Sequence, residues 1–229
     1  MDKIDWCNDR KAAGGYFNNA LYRVTANQPM HSDPDVVFAK VVIIGRSYSA
    51  AVTRGAGQLP TDAETEEDRS LNTFIAKSIS NNSKWIDKKI SYINNYDNLT
   101  INNIFDIVDF HRKFDDLIIK SIKIWRKDNN IISKKDVSSR SSFCSKYLHF
   151  HAPMHFFIMD SIAQRRLKEI MVGKNGRWPN TVWPEGWQAE TETDYARFSL
   201  RMLDHAKRHY PNGWTPRLID GHLLGYIKP

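Results

Sequence analysis

The sequence has little that staples, spans or repeats. Two cysteines occur in 229 residues, Cys7 and Cys144, and neither belongs to a CxxC unit. That excludes a disulfide scaffold and a cysteine-based zinc site, and it suits a reducing compartment. Long apolar runs are also missing. The most apolar early stretch, Val36 to Ile44, is interrupted by Lys40, and it is less than half of the roughly 20 residues a membrane-spanning helix needs. The first residues, Met-Asp-Lys-Ile-Asp-Trp-Cys-Asn-Asp-Arg-Lys, contain no apolar core of the signal-peptide kind. A cytoplasmic location without a membrane partner is therefore expected. Glycine and proline are scattered, so no flexible linker or internal repeat divides the chain.

What is present describes a folded domain with an excess of positive charge. Hydrophobic residues make up 41% and charged residues 26% of the chain, values that exclude wholesale disorder. A chain of 229 residues can bury a core without metal or disulfide support. Lys and Arg total 33 against 26 Asp and Glu, a net charge of +7. This surplus favours an anionic partner such as nucleic acid, a nucleotide or an acidic lipid.

Apolar periodicity predicts an almost wholly helical fold. Ile101, Ile104, Phe105, Val108, Phe114, Leu117, Ile118, Ile122 and Trp125 recur at three- and four-residue steps, as one helix or as two meeting near His111. The acids of Asp62 to Asp68 precede Leu71, Phe74, Ile75 and Ile79, as at a helix start. Further helices are expected over 81–93, 142–151 and 193–210, and from Thr215-Pro216 onward. Asp160 or Ser161 caps another that Gly173 ends. Only Val36 to Ile44 competes as a short strand. The expected architecture is all-α: helical lobes 1–98 and 99–229, divided at the turn-rich Asn94 to Asn98 or merged into one compact domain, enclose a basic cleft lined by 45–54 and 141–161.

The segment richest in chemistry is Ser141-Ser-Phe-Cys-Ser-Lys-Tyr-Leu-His-Phe-His-Ala-Pro-Met-His-Phe-Phe-Ile-Met-Asp-Ser-Ile-Ala163. Lys146 lies in a mostly apolar helix, and Asp160 follows the apolar run Phe156 to Met159. Packing of those elements would bring the two charges together at the edge of the core, where desolvation favours a neutral, nucleophilic amine. The alternative is structural: an ion pair plus a helix cap.

A lysine on a helix, an apolar connection and an aspartate opening the next helix resemble the catalytic arrangement of the helix-hairpin-helix DNA glycosylases, specifically bacterial proteins similar to 8-oxoguanine glycosylase. The resemblance covers about residues 138–171. It implies that the Lys146 amine attacks the deoxyribose carbon as a damaged base leaves. Asp160 would support the positively charged sugar, and a Schiff base would permit strand cleavage. No cofactor is implied. Val137-Ser-Ser-Arg-Ser-Ser-Phe143 departs from the family by standing where a Gly-rich hairpin would grip DNA phosphates.

Other candidates bear on binding. In Ile43-Ile-Gly-Arg-Ser-Tyr-Ser-Ala-Ala-Val-Thr-Arg54, Arg46 and Arg54 are expected to hold phosphate and Tyr48 to stack on a base, with ordinary packing as the alternative. Together with Ser-Lys-Tyr-Leu-His-Phe-His, this segment also resembles uncharacterised bacterial proteins found among phage-defence and mobile-element genes. Ser142 and Ser145 are further candidate phosphate ligands. His149 and His151 are candidate acid/base groups, whereas two residues of helical spacing point their rings apart and argue against a shared metal. Trp183 and Trp187 are candidate stacking platforms beside Arg177, or a cover over the core. The expected partner is nucleic acid, DNA before RNA. Two alternatives remain open: an RNA- or nucleotide-directed toxin, and a non-catalytic module for nucleic acid or a partner protein.

Overall fold

The computed structural model describes residues 16–47, 50, 52–53, 56–57, 70–132, 136–187, 191–210 and 213–225. Among the described residues there are nine α-helices and no strand. They are α1 (Tyr16–Asn27), α2 (Pro34–Ser47), α3 (Leu71–Asn81), α4 (Ser83–Asn94), α5 (Ile104–Asp128), α6 (Ser141–His151), α7 (Ser161–Val172), α8 (Asp194–His209) and α9 (Pro216–Leu223). The expected all-α class holds.

Local chemistry accounts for the boundaries. Ser70 caps α3 by accepting from the Thr73 amide, Thr193 caps α8 through the Ala196 amide, and Thr215 caps α9 through the Leu218 amide. Pro216 then occupies the first turn, where no amide is needed. Asp160 accepts from the amides of Ile162 and Ala163 at the start of α7, and Gly173 ends that helix with φ +79. The acidic run 61–69 lies outside the described residues.

One expectation is corrected. Val36 to Ile44 is no strand but the body of α2. Asp33 Oδ1 accepts from the amides of Asp35 and Val36, and Val37, Lys40, Val41 and Ile44 are buried at helical spacing. Packing of that stripe overrides the β preference of its valines and isoleucines. The stretch around His111 takes the first of the two forms expected for it: α5 is one helix of 25 residues, and His111 stacks on Tyr195 with ring centres 3.7 Å apart.

Helices α5 and α6 form the centre. The long α5 packs against α3, α4, α6 and α8, and α6 is further enclosed by α1 and α2. All eight residues Phe143 to Phe150 of α6 are buried, so this helix has no solvent face. Buried apolar residues from Leu21 to Leu223 form one continuous cluster that includes residues on both sides of residue 98. Full burial of side chains such as Phe110, Phe114, Ile118 and Ile122 is worth about 1.5–3 kcal/mol each. No helix of the described residues is long and apolar enough to cross a membrane.

Candidate functional site

The connection from α6 to α7 is built to deliver one carboxylate. Phe156, Phe157, Ile158 and Met159 are buried and hold the extended segment against the core. Ser145 on α6 clamps its end: its Oγ accepts from the Met159 amide at 3.1 Å and lies within donating distance of the Met159 and Ser142 carbonyls, at 3.3 and 3.1 Å. The next residue is Asp160. Its Oδ1 caps α7, which leaves Oδ2 to face Lys146 Nζ at 3.2 Å.

Lys146 reaches this point from the middle of α6. Its side chain is 1% exposed against 24% for Asp160, and Nζ also donates to Ser142 Oγ at 3.1 Å. One helical turn separates Ser142 and Lys146, so they share a face. The carboxylate is thus pre-aimed by its cap, while the amine is held by two oxygens in a largely dry surrounding. There the Coulomb attraction is stronger than in water.

A second charged pair lies behind the first. Arg217 and Asp220 on α9 are both buried and joined by an Nη1 to Oδ2 ion pair. Burial raises the Asp220 pKa to about 6; Arg217 and Lys146 oppose that rise, and the Asp160 charge adds to it. Two cations and two carboxylates therefore act on one another where α6, α7 and α9 meet. The Arg217/Asp220 pair escaped the sequence reading. Its signal was an Arg and an Asp three residues apart in the short helix α9.

Two serines and two histidines do different work from that expected. The Ser145 hydroxyl is buried and used on the Met159 clamp, and the Ser142 hydroxyl, on a half-buried residue, accepts from Lys146. His149 donates from Nδ1 to the Phe156 carbonyl at 2.7 Å and accepts at Nε2 from the Tyr22 hydroxyl at 2.6 Å. His151 donates from Nδ1 to the Tyr147 carbonyl, and its Nε2 accepts from Lys40 Nζ at 3.2 Å. Both rings have both nitrogens engaged; His149 is fully buried and His151 half-buried, with burial holding the His149 pKa down to about 3 and that of His151 well below its usual value. Neither offers a nitrogen to a substrate.

His151 belongs instead to a buried cluster beside α6. Lys40 also donates to the Met30 carbonyl, and His31 donates from Nδ1 to Asp87 at 2.5 Å while its ring lies against His151. Burial lowers the Lys40 pKa to about 8 and that of His31 to about 3. This cluster, unseen in the sequence, fastens α2 and α4 to α6. Cys144 is a buried thiol whose pKa is raised by burial and by the charge of Asp115.

The expected binding residues are dispersed. Arg46 is exposed in the last turn of α2, while Tyr48 and Arg54 lie outside the described residues. Trp183 and Trp187 stack on each other with centres 5.7 Å apart, and Trp187 meets Phe105 edge-on; both rings are half-buried against the core. They cover α5 as well as facing solvent. Neither of the two described grooves is lined by Lys146 or Asp160. Among the described residues no group of three or more His, Cys, Asp or Glu is placed to hold a metal ion.

Compared with known proteins, the chain matches no family model, no curated protein and no solved structure.

Proposed function

We propose that the protein is a DNA glycosylase-like enzyme with lyase chemistry, in which Lys146 is the nucleophile and Asp160 its carboxylate partner. The observation that carries this reading is the 3.2 Å approach of Lys146 Nζ to Asp160 Oδ2, two groups 14 positions apart that separate elements bring together. The Lys146 ammonium gives a proton to the departing base, which leaves with the electrons of the glycosidic bond, and the freed amine attacks the sugar carbon. Asp160 stabilises the positive charge that develops on the sugar and accepts the proton released by the amine. The nitrogen lone pair then expels the ring oxygen O4′, which takes the proton held by Asp160, to give the imine; loss of a C2′ proton and departure of the 3′ phosphate complete the elimination. The net charge of +7 supports attraction of a polyanion. Because the Lys146 side chain is 1% exposed, attack requires the covering side chains to move aside when substrate binds.

Borohydride trapping tests the chemistry. Incubation with DNA carrying a damaged base or an abasic site should yield a covalent protein–DNA adduct, and Lys146→Ala should abolish it while the fold is retained. Asp160→Asn keeps the cap and should slow adduct formation about 100-fold, in line with loss of one charged group that acts in the transition state. No adduct across damaged and undamaged, single- and double-stranded DNA would overturn the lyase. A folded wild type that binds the same strands without cleaving them would instead establish the non-catalytic module.

A further inference from the structure

We propose that the groove between α7, α8 and the tryptophan segment holds a single strand of nucleic acid, with a backbone phosphate at Arg201 and Arg197 and an unstacked base against Trp178. The groove has a volume of about 220 Å³ and is lined by Gln164, Trp178, Asp194, Arg197 and Arg201 among others. That is smaller than the roughly 300–1,000 Å³ of sites that enclose a whole small ligand. The groove therefore suits one ring or one phosphate of a molecule that continues outside it.

Its charges ask for an anion. The Arg201 guanidinium lies 4.1 Å from the centre of the Trp178 ring, and no carboxylate is within ion-pair distance of it among the described residues. Its neighbour Arg197 sits over Trp183 and pairs with Asp194, whose side chain is 82% exposed. An exposed pair of that kind is weak, so a phosphate can take the place of the Asp194 carboxylate. Burial and the charge of Arg197 both lower the Arg201 pKa, and the Asp194 charge opposes them only in part, in the direction in which a closer anion would act. A guanidinium already resting on an indole has lost part of its freedom, and its planar fork matches phosphate oxygens. Because Arg201 covers one face of the indole, a base stacks on the guanidinium–indole pair rather than on a bare ring.

The groove also stands in a defined relation to the Lys146/Asp160 pair. Asp160, Gln164 and Leu167 fall at i, i+4 and i+7 of α7, and both Gln164 and Leu167 line the groove. Residues so spaced share one helix face, so Gln164 at the groove stands about 6 Å along the helix axis from Asp160. A strand lying in it continues toward the amine. The choice of nucleic acid rests on the proposed function, and the test below separates the two.

The test is fluorescence anisotropy of a labelled 12-nucleotide single strand with the full chain, across a salt series. Arg201→Gln should weaken binding about ten-fold and lower the magnitude of the salt slope by about 0.7, the value for one phosphate contact on a single strand. Trp178→Leu should weaken it about ten-fold or more. Arg201→Lys, which keeps the charge and a long stem, should fall between, and Lys207→Gln, an exposed cation of α8 outside this groove, should change affinity less than two-fold. Unchanged affinity and slope for Arg201→Gln and Trp178→Leu with wild-type melting curves would overturn the proposal. So would displacement of the strand by a mononucleotide, inorganic phosphate or polyglutamate at the same phosphate or carboxylate concentration. Strand binding that depends on Arg201 without any borohydride adduct would support the groove and refute the lyase. An adduct through Lys146 with binding indifferent to Arg201 and Trp178 would do the reverse.

Discussion

Asp160→Asn should destabilise the fold by about 2 kcal/mol, and Lys146→Met should leave stability unchanged or raise it. Asparagine caps a helix about as well as aspartate, so the amides of Ile162 and Ala163 keep their acceptor. What disappears is the charge opposite an ammonium that is 1% exposed. Breaking a fully buried pair costs about 3–5 kcal/mol, and an exposed pair is worth less than about 1. With Asp160 24% exposed, the cost lies between these limits. At about 2–4 °C per kcal/mol for a chain of this size, the melting temperature should fall by about 4–8 °C. Asp160→Ala should lose about 1 kcal/mol more, the value of the cap itself. Lys146→Met replaces the cation by an apolar side chain of similar length and removes the burial cost of the ammonium, while the carboxylate left behind still reaches water and still caps α7, so the penalty of a charge stranded in the interior does not arise. Thermal and urea unfolding at pH 7 by circular dichroism measure all three variants. A wild-type melting temperature for Asp160→Asn would refute the ion-pair reasoning, and a Lys146→Met loss as large as that of Asp160→Asn would show that the lysine stabilises the fold in its own right.

Ser145→Ala should cost about 1–3 kcal/mol by taking the acceptor from the buried Met159 amide, and it should lower borohydride trapping through Lys146 because Asp160 loses its clamp. His149→Phe should cost a similar amount, since the Phe156 carbonyl loses its donor; urea unfolding reads this, and trapping per folded molecule should not change. On the acid side, burial holds the pKa of His31, His111 and His149 at about 3 against 6.5, so the unfolded chain binds more protons between those values. Stability should be intact above pH 6.5 and fall as pH drops toward 3, each histidine adding up to about 1.4 kcal/mol per pH unit. Lys40 has the same sign in another window: with its pKa lowered from 10.5 to about 8, stability should rise between pH 8 and 10.5. Lys40→Met should remove that rise, and a pH–stability curve unchanged by the substitution would contradict the assignment.

Much of the secondary structure is local and was legible for that reason. Caps at Asp160, Thr193 and Thr215, the stop at Gly173 and the periodicity of α5 act within a few residues, so the chain states them directly. The approach of Lys146 to Asp160 was legible too, because an apolar connection between two short helices leaves few ways to pack. Val36 to Ile44 was ambiguous because a short run of valine and isoleucine satisfies either period until a neighbour is known. The burial of α2 on α3 and α6 decided for helix.

The sequence by itself determined the helical class, most helix ends, the positive balance and the delivery of one amine and one carboxylate to a common corner. Only the tertiary structure decided which polar groups those elements consume. The Ser145 hydroxyl goes to a backbone amide fourteen residues away, the His149 ring to Tyr22 across 127 positions, and Lys40 to His151 across 111. It also placed Arg217 and Asp220 behind Lys146, and Arg201 on the face of Trp178. A donor or acceptor carries no mark of its partner in the chain, because any group of matching polarity will do and burial alone compels the match. Periodicity and caps are set by neighbours in sequence; the allocation of hydrogen bonds and charges is set by neighbours in space.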